Sequence, residues 1–422
     1  PTGRLRDLYG SSSAILGIMA RLRAAILAGV VVMAVGAGLW LALSGLPKGA
    51  REVDYKPVAF SDLDDWRGDH HAQARVAFLK SCAKLEGPAD RRLAGGNGIA
   101  GTIADWRAVC SQARAVPAGD HDAARRFFET GFRPVKVTSD GHSEGLFTGY
   151  YEPQIAGSRT KKAGFDIPLY RRPADLITVD LGRFREDLSG RRIAGRAVEG
   201  SLRPYENRAR IDQGALAGRG LELAWLDDPV AAFFLHIQGS GQILFEDGNK
   251  LRVGYAGHNG HPYTAIGRLL VARGELALDE VSMQSIKQWI ATHPERAPAL
   301  MAENASFIFF REIDGDGPIG SAGIVLTPRG SLAVDPRYIP LGVPVWLATE
   351  ARHSGARAAQ QSLRQLMVAQ DTGGAIKGAV RGDIFFGSGS RAGRRAGDFN
   401  ASGRIHLLLP VAVAERLRDS HQ

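Results

Sequence analysis

The sequence predicts a mainly β protein with its helices gathered toward the N-terminal side, and three observations carry that reading. From Val135 onward, short runs of β-branched and aromatic residues alternate with Gly and Pro turns, as in Gly145-Leu146-Phe147-Thr148-Gly149-Tyr150-Tyr151-Glu152-Pro153. Beyond Glu303 the runs become denser, at Ser306–Phe310, Gly323–Leu326, Ala333-Val334, Val345-Trp346, Leu366–Gln370, Asp383–Phe386 and Arg404–Pro410. Many short strands at such spacing imply a closed barrel rather than an open parallel sheet. Between Asp54 and Phe132, by contrast, apolar residues recur at helical spacing. A chain of 422 residues, 44% hydrophobic, supplies the buried cores of two or three domains.

In chain order, Asp62-Leu63-Asp64-Asp65-Trp66 offers caps for a first helix, Ala72–Leu85 reads as a second and Asp122–Phe132 as a third, with Ala123, Phe127 and Phe128 on one face. Gly95-Gly96-Asn97-Gly98 between them reads as a turn, because no strand and no Lys-Ser/Thr accompany it as a phosphate loop requires. After the strand at Gly145, Ile167–Tyr170 is another short strand and Arg183–Arg196 a basic solvated loop. Pro229–Leu235 suggests a short helix leading through His236-Ile237-Gln238-Gly239-Ser240-Gly241 into strands around Ile243 and Leu251–Tyr255. Tyr263–Gly274 and Ser282–Thr292 look helical, and the Ala-rich basic run 351–361 reads as an insertion loop.

The stretch from Ala24 to Leu46 carries no charge and is long enough to span a bilayer core, with Arg4, Arg6, Arg21 and Arg23 before it. The positive-inside tendency leaves residues 1–23 in the cytoplasm and exports the chain beyond Pro47. A cleaved signal peptide is the alternative, with small residues around Ala42 and Ser44 as a poor cleavage site. The formal charge of +9 and pI near 9.7 permit an anionic partner or a basic surface without one. Cys82 and Cys110 are the only two cysteines, and in an exported domain they either pair or lie as buried free thiols.

The chemistry-bearing stretch is Gln370-Asp371-Thr372-Gly373-Gly374-Ala375-Ile376-Lys377-Gly378 followed by Arg381-Gly382-Asp383-Ile384-Phe385-Phe386-Gly387. Glycines allow close backbone approach to a ligand, and an aspartate among apolar strand residues can hold a proton near neutrality, as a general acid must. Asp371-Thr372-Gly373 matches the tripeptide of aspartic proteases, but a single-chain protease needs a second copy and none occurs. Arg381-Gly382-Asp383 as an integrin-type triplet is chance. Ser240 between glycines lacks the nucleophile elbow and reads as a turn. His258 and His261 lack a further ligand at metal-binding spacing. What remains is carboxylate chemistry among Tyr150, Tyr151, Trp225, Tyr255 and Tyr263, flat surfaces on which sugars stack, and Gln238, Asn259 and Asn304, amides that bind hydroxyl and N-acetyl groups. Singly each reads as core or turn; together they point to carbohydrate.

On these residues the chain resembles the MltA family of membrane-bound lytic murein transglycosylases. The matching motifs are Thr148–Pro153, Ile237–Gly241, Val253–Gly260, Phe309–Arg311, Gly317–Gly320, Leu326–Pro328, Ser331–Asp335, Ile339–Gly342, Asp371–Gly378 and Gly382–Ile384, in order from about Phe60 to Pro410. The resemblance implies a double-psi β-barrel with a smaller barrel-like β domain inserted before it, and a glycan groove between the two. The corresponding spans are 54–150 for the N-terminal helical part, 151–303 for the insert and 304–412 for the barrel.

The resemblance also implies roles. Asp383 would be the catalytic acid, Asp371 a supporting carboxylate and Asp335 a structural one. Thr148, Tyr150, Gln238, Gly239 and Ser240, with Gly373, Gly374 and Lys377 of the glycine-rich run, would bind glycan. The substrate would be peptidoglycan glycan strands, cleaved without water to 1,6-anhydromuramic ends, with no metal, no cofactor and no nucleic acid involved. Other cell-wall enzymes are candidate partners. A non-catalytic peptidoglycan-binding barrel and a hydrolase using Asp371 to activate water remain the alternatives. Relatives are commonly lipoproteins of the outer membrane; this chain has no lipid-bearing cysteine after its apolar stretch, so a periplasmic enzyme anchored to the inner membrane is the expectation.

Overall fold

A computed structural model describes residues 52–85, 93–95, 98–278, 280–315, 317–351 and 362–420. The apolar stretch Ala24–Leu46, Gly96 and Asn97 of the Gly95–Gly98 run and nearly all of the 351–361 loop lie outside the described residues.

The described residues open on a strand, β1 (Val53–Pro57), where a helix was expected, and the Asp62–Trp66 stretch forms only short 3-10 turns. Helix α1 (His71–Leu85) follows, then α2 (Ile103–Ala115) and α3 (His121–Gly131). In α1 the buried residues Ala74, Ala77, Phe78, Ser81, Cys82 and Leu85 recur every three to four positions, which puts them on one face. Ile103, Trp106, Val109, Cys110 and Ala113 do the same in α2, a helix the sequence reading did not single out. Cys82 and Cys110, both fully buried, form a disulfide that joins α1 to α2.

Strands β2 (Phe132–Ser139) and β3 (Gly145–Glu152) then enter the main sheet, and the chain leaves it at Pro153. The inserted part comprises β4 (Gln154–Ser158), β5 (Ile167–Tyr170), β6 (Ile177–Asp180), β7 (Arg192–Val198), β8 (Ser201–Pro204), helix α4 (Arg208–Asp212), β9 (Glu222–Leu226), α5 (Pro229–Gln238), β10 (Ser240–Phe245) and β11 (Lys250–His258). Helices α6 (Ile266–Ala272), α7 (Met283–Thr292) and α8 (Ala297–Ala302) lead to β12 (Ile308–Glu312). The main sheet resumes with β13 (Ser331–Ala333), β14 (Pro344–Ala351), β15 (Arg364–Asp371) and β16 (Arg381–Ser388), then α9 (Gly389–Asp398), β17 (Asn400–Pro410) and α10 (Val411–Ser420).

The eight-stranded main sheet runs β1-β2-β17-β14-β15-β13-β16-β3, and β3 pairs again with β17, so six of the strands close into a barrel. Its interior is filled by Phe147, Leu332, Val345, Ile384, Ala401 and Leu407, in one core with Phe78, Trp106, Phe128 and Phe132 from the helices and the start of β2. The N-terminal helices are therefore part of the barrel's core. The inserted sheet runs β12-β11-β10-β4-β9-β5, and a bridge from Arg171 to Phe310 brings its two edges together. This is the expected barrel-like insert with one difference: Ile308–Glu312, placed by its position in the chain with the span from residue 304 onward, pairs with β11 in the inserted sheet. Phe309 and Phe310 are fully buried on that side, which gives the strand its partner. The stretch expected as a loop from Arg183 contains β7, part of a separate three-stranded sheet β6-β7-β8.

The two sheets are locked together at Glu152, the last residue of β3. Its fully buried carboxylate accepts hydrogen bonds from Gln242 Nε2 (2.7 Å) on β10, Arg252 Nε (2.8 Å) on β11 and Ser388 Oγ (2.5 Å) at the end of β16. A buried carboxylate is tolerated only when paired and fully hydrogen-bonded, and here donors from both sheets meet that need.

Candidate active site

The barrel register sets the site. Ala333 on β13 pairs with Asp383 of β16 on one side and, across a register shift that skips Gln370, with Asp371 of β15 on the other, and Asp383 pairs in turn with Thr148 of β3. Directly opposed residues share a sheet face. Their chain neighbours Leu332, Ile384 and Phe147 are fully buried in the barrel core, so the row points away from it. Two aspartates well separated in sequence are thus brought to one surface by a single short strand between them.

Asp383 is held by one side chain. Thr148 donates its hydroxyl proton to Oδ1 at 2.8 Å, and the Thr148 oxygen accepts from Arg381 Nη2 at 2.8 Å. Arg381, two residues before Asp383 and on the same strand face, also donates to the carbonyls of Leu146 and Gly382. Burial pushes the Asp383 carboxyl up from 3.8 to about 6, with Arg381 and the Thr148 hydrogen bond pulling it back and Asp371 adding to the rise. Only Oδ2 is left without a protein donor among the described residues.

Asp371 differs in its surroundings. Oδ1 accepts from the backbone N–H groups of Ser321 (2.8 Å) and Thr372 (2.9 Å), and Oδ2 accepts from the Tyr150 hydroxyl (2.8 Å). Burial pushes this carboxyl up as well, opposed by those donors. Tyr150 in turn has its phenol pushed well above its ordinary value by burial and by Asp371, so it serves as a proton donor and stays neutral.

Asp335, two residues beyond Ala333, is 1% exposed. Its Oδ2 accepts from Arg337 Nη2 (2.6 Å) and from the N–H of Gly378 (2.9 Å), and its Oδ1 from Arg337 Nε (3.0 Å). Although burial pushes it up, the Arg337 guanidinium and the Gly378 N–H carry the carboxyl below its ordinary range. It anchors the end of the loop after Asp371, on which Gly374 and Lys377 are exposed while Ile376 is buried.

The Gln238–Ser240 turn lies at the end of α5, where Gly239 takes a left-handed φ of 77° and caps the helix. Gln238 accepts the Tyr151 N–H at 3.0 Å, tying this turn to the barrel strand that carries Thr148 and Tyr150. The carbohydrate-binding candidates separate into two groups. Tyr150 and Tyr151 are 9% exposed, and Asn259 and Asn304 engage their carboxamides with backbone groups of residues 206, 264, 305 and 307. Neither tyrosine presents a surface for stacking, and the two amides are held by backbone groups. Tyr255 and Tyr263 are open, at 51% and 38%. His258 Nδ1 takes the Gly260 N–H and His261 Nε2 faces the Tyr205 carbonyl, so both rings are occupied locally.

Sequence reasoning missed Arg381, set aside as part of a chance triplet; its period-two spacing from Asp383 on a strand was the available signal. It also left Glu152 without a role, although a charged residue closing an aromatic strand signals a buried pair.

Comparison with known proteins agrees with this architecture. Residues 146–311 match the pattern of the MltA specific insert domain and residues 330–409 that of the 3D domain. Membrane-bound lytic murein transglycosylase A of Escherichia coli K12 is 35% identical over 272 residues, 64% of this chain and 67% of that protein. A crystal structure of a membrane-bound lytic murein transglycosylase from Agrobacterium tumefaciens superposes with a TM-score of 0.76 at 34% identity, covering 86% of this chain and 100% of that one. E. coli MltA with bound chitohexaose superposes at 0.59 and 29% identity, covering 86% and 96%. With both domain patterns in sequence and relatives of this likeness across both sheets, the chain belongs to the MltA family of membrane-bound lytic murein transglycosylases.

Proposed function

We propose that this protein is a peptidoglycan lytic transglycosylase that cleaves the β-1,4 bond between N-acetylmuramic acid and N-acetylglucosamine, with Asp383 as its one acid and base. The reading rests above all on the unequal state of the two carboxylates. Asp383 has a raised pKa near the operating range of a general acid and one oxygen uncommitted, whereas both oxygens of Asp371 accept fixed donors. A second free carboxylate, which a hydrolase uses to activate water or attack the sugar, is therefore lacking at Asp371.

Thr148 occupies Oδ1 as a donor, so the proton of neutral Asp383 sits on Oδ2. That proton passes to the glycosidic oxygen as the C1–O bond breaks, and an oxocarbenium-like muramoyl ring results. The Asp383 carboxylate, steadied by the Thr148 hydroxyl and the Arg381 charge behind it, then takes the proton of the C6 hydroxyl. The C6 oxygen closes on C1 to give the 1,6-anhydro product, and Asp383 is again neutral. No water enters the balance. Asp371, beside Tyr150, keeps negative charge near Asp383 and so keeps its proton affinity high.

Glycan strands are the substrate in this reading, supported by the bound chitohexaose of the E. coli relative. The turn Gln238–Ser240 and the loop residues Gly373, Gly374 and Lys377 serve as its contacts in this reading, with Asp335 holding the end of that loop through the Gly378 N–H. An exported position fits the buried Cys82–Cys110 disulfide, and the relatives' names carry membrane attachment. The uncharged stretch Ala24–Leu46 would serve as the inner-membrane anchor, its length sufficing to span a bilayer core. Digestion of purified sacculi by the full-length protein, followed by mass analysis of the muropeptides, tests the activity. Anhydro ends support it, reducing ends heavier by one water indicate a hydrolase, and no release leaves a binding protein.

A further inference from the structure

The row of opposed residues that carries the site extends one strand beyond Thr148. Thr148 pairs on its other side with Asn400, the first residue of β17, so Asp371, Ala333, Asp383, Thr148 and Asn400 lie at one level across five neighbouring strands. Ala401, next to Asn400, is fully buried in the barrel core, which turns the Asn400 side chain to the same outer face as Thr148 and Asp383. Asn400 thus stands two strands from the acid, about 9–10 Å along the sheet, on the side opposite Asp371.

Its carboxamide is unusual in this fold. The Asn400 Oδ1 is buried and has no hydrogen-bond partner, a state that Gln284 Oε1 shares, whereas the buried amides of Asn259, Gln242 and Gln370 are engaged. Buried amide atoms are ordinarily paired, and an unpaired one is costly. Turning the amide over exchanges the oxygen for the nitrogen and leaves one polar atom buried without a partner either way. A group that brings its own donor to this point removes that cost.

From this juxtaposition we infer that Asn400 is a substrate-positioning residue, which takes the N-acetyl group of a sugar bound beside Asp383. The inference rests on the glycan-cleaving reading above and adds a contact to it. A carboxamide is the natural complement of an acetamido group, because its oxygen accepts the substituent's N–H and its NH2 can donate to a carbonyl. Removing the acetyl group leaves an ammonium, which has no carbonyl to accept from the NH2 group and is costly to strip of water at a buried point, so the contact discriminates acetylated from de-acetylated sugars.

The test is a two-by-two binding cycle. Wild-type full-length protein in detergent and Asn400→Ala are each titrated by calorimetry with chitohexaose and with the fully de-N-acetylated hexamer. The charge difference between the two ligands cancels in the ratio of ratios, because it is common to both proteins. Loss of one well-placed hydrogen bond corresponds to about a fivefold to tenfold weaker binding of chitohexaose with little change for the de-acetylated hexamer. A loss equal for both ligands, or no loss, overturns the inference. Asn400→Gln, which keeps the chemistry but moves it outward, is run in parallel; it should recover less than half of the selectivity, and it carries the test if the alanine variant does not fold. Failure of the underlying reading is seen separately, as wild-type protein that releases no anhydro-muropeptides from sacculi whatever the cycle shows.

Discussion

Replacing Asp383 by Asn removes a titrating proton while leaving an oxygen to accept from Thr148, and its consequences for stability and for catalysis point in opposite directions. The folded protein holds the Asp383 proton up to about pH 6, while the unfolded chain releases it near 3.8. Between those values the folded state binds more protons than the unfolded state, so raising the pH costs wild-type stability, at about 1.4 kcal/mol per pH unit. The cost is complete above about pH 6 and amounts to roughly 3 kcal/mol. A neutral asparagine does not pay it. The variant is therefore expected to match wild type near pH 4 and to exceed it by up to roughly 3 kcal/mol at pH 7 to 8. The assay is urea unfolding of both proteins at pH 4, 5, 6 and 8, read as the difference in free energy between them. The same variant should lose about 100-fold to 10,000-fold of its muropeptide release, the usual contribution of a positioned general acid. Equal stability at pH 8, a gap that widens toward acid, or activity within tenfold of wild type would each refute the reasoning.

Further expectations come from the same contacts. The pH profile of kcat/KM should fall on the alkaline side through about pH 6, as Asp383 loses its proton, and a profile rising through that range contradicts the acid role. Thr148→Val and Arg381→Met each remove an influence that pulls the Asp383 pKa down, so each should move that alkaline limb to higher pH; a shift to lower pH argues against the assignment. Glu152→Ala leaves Arg252 without its buried partner at the junction of the two sheets and should destabilise the fold by about 3–5 kcal/mol in chemical denaturation. Cys82→Ser with Cys110→Ser opens a closed loop of 28 residues and should cost about 3–4 kcal/mol, seen as a lower midpoint that reductant reproduces in wild type.

Much of this molecule was legible in its sequence because local pattern and tertiary outcome agree. The helical spacing of Ala72–Leu85 and Asp122–Phe132 is answered by α1 and α3, and the aromatic strand at Gly145 by β3, since each buries the residues that made the pattern. The strand β1 was passed over although Val53–Pro57 alternates apolar and polar residues, because a run of five is a weak signal by itself and its place is set by pairing with β2. The assignment of Ile308–Glu312 to the inserted sheet could not be read locally either; only its partner β11 decides it. At the site, Asp371 and Asp383 announced themselves by their glycine-rich frames, but that Ala333 sits between them is a fact of register. The same holds for Asn400, whose neighbourhood with Thr148 is made by strands distant in sequence. Burial, finally, reversed the stacking surfaces expected at Tyr150 and Tyr151, because an aromatic strand residue serves a core as readily as a sugar.

The central claim is that the muramoyl ring closes on itself with no water in the reaction, and isotope incorporation tests it most directly. Purified sacculi are digested by the full-length protein in water enriched in oxygen-18, and the released muramic ends are weighed by mass spectrometry. Proton transfer through Asp383 alone predicts anhydro ends carrying no heavy oxygen. Ends heavier by one labelled water would contradict the account and move the activating role to a second base.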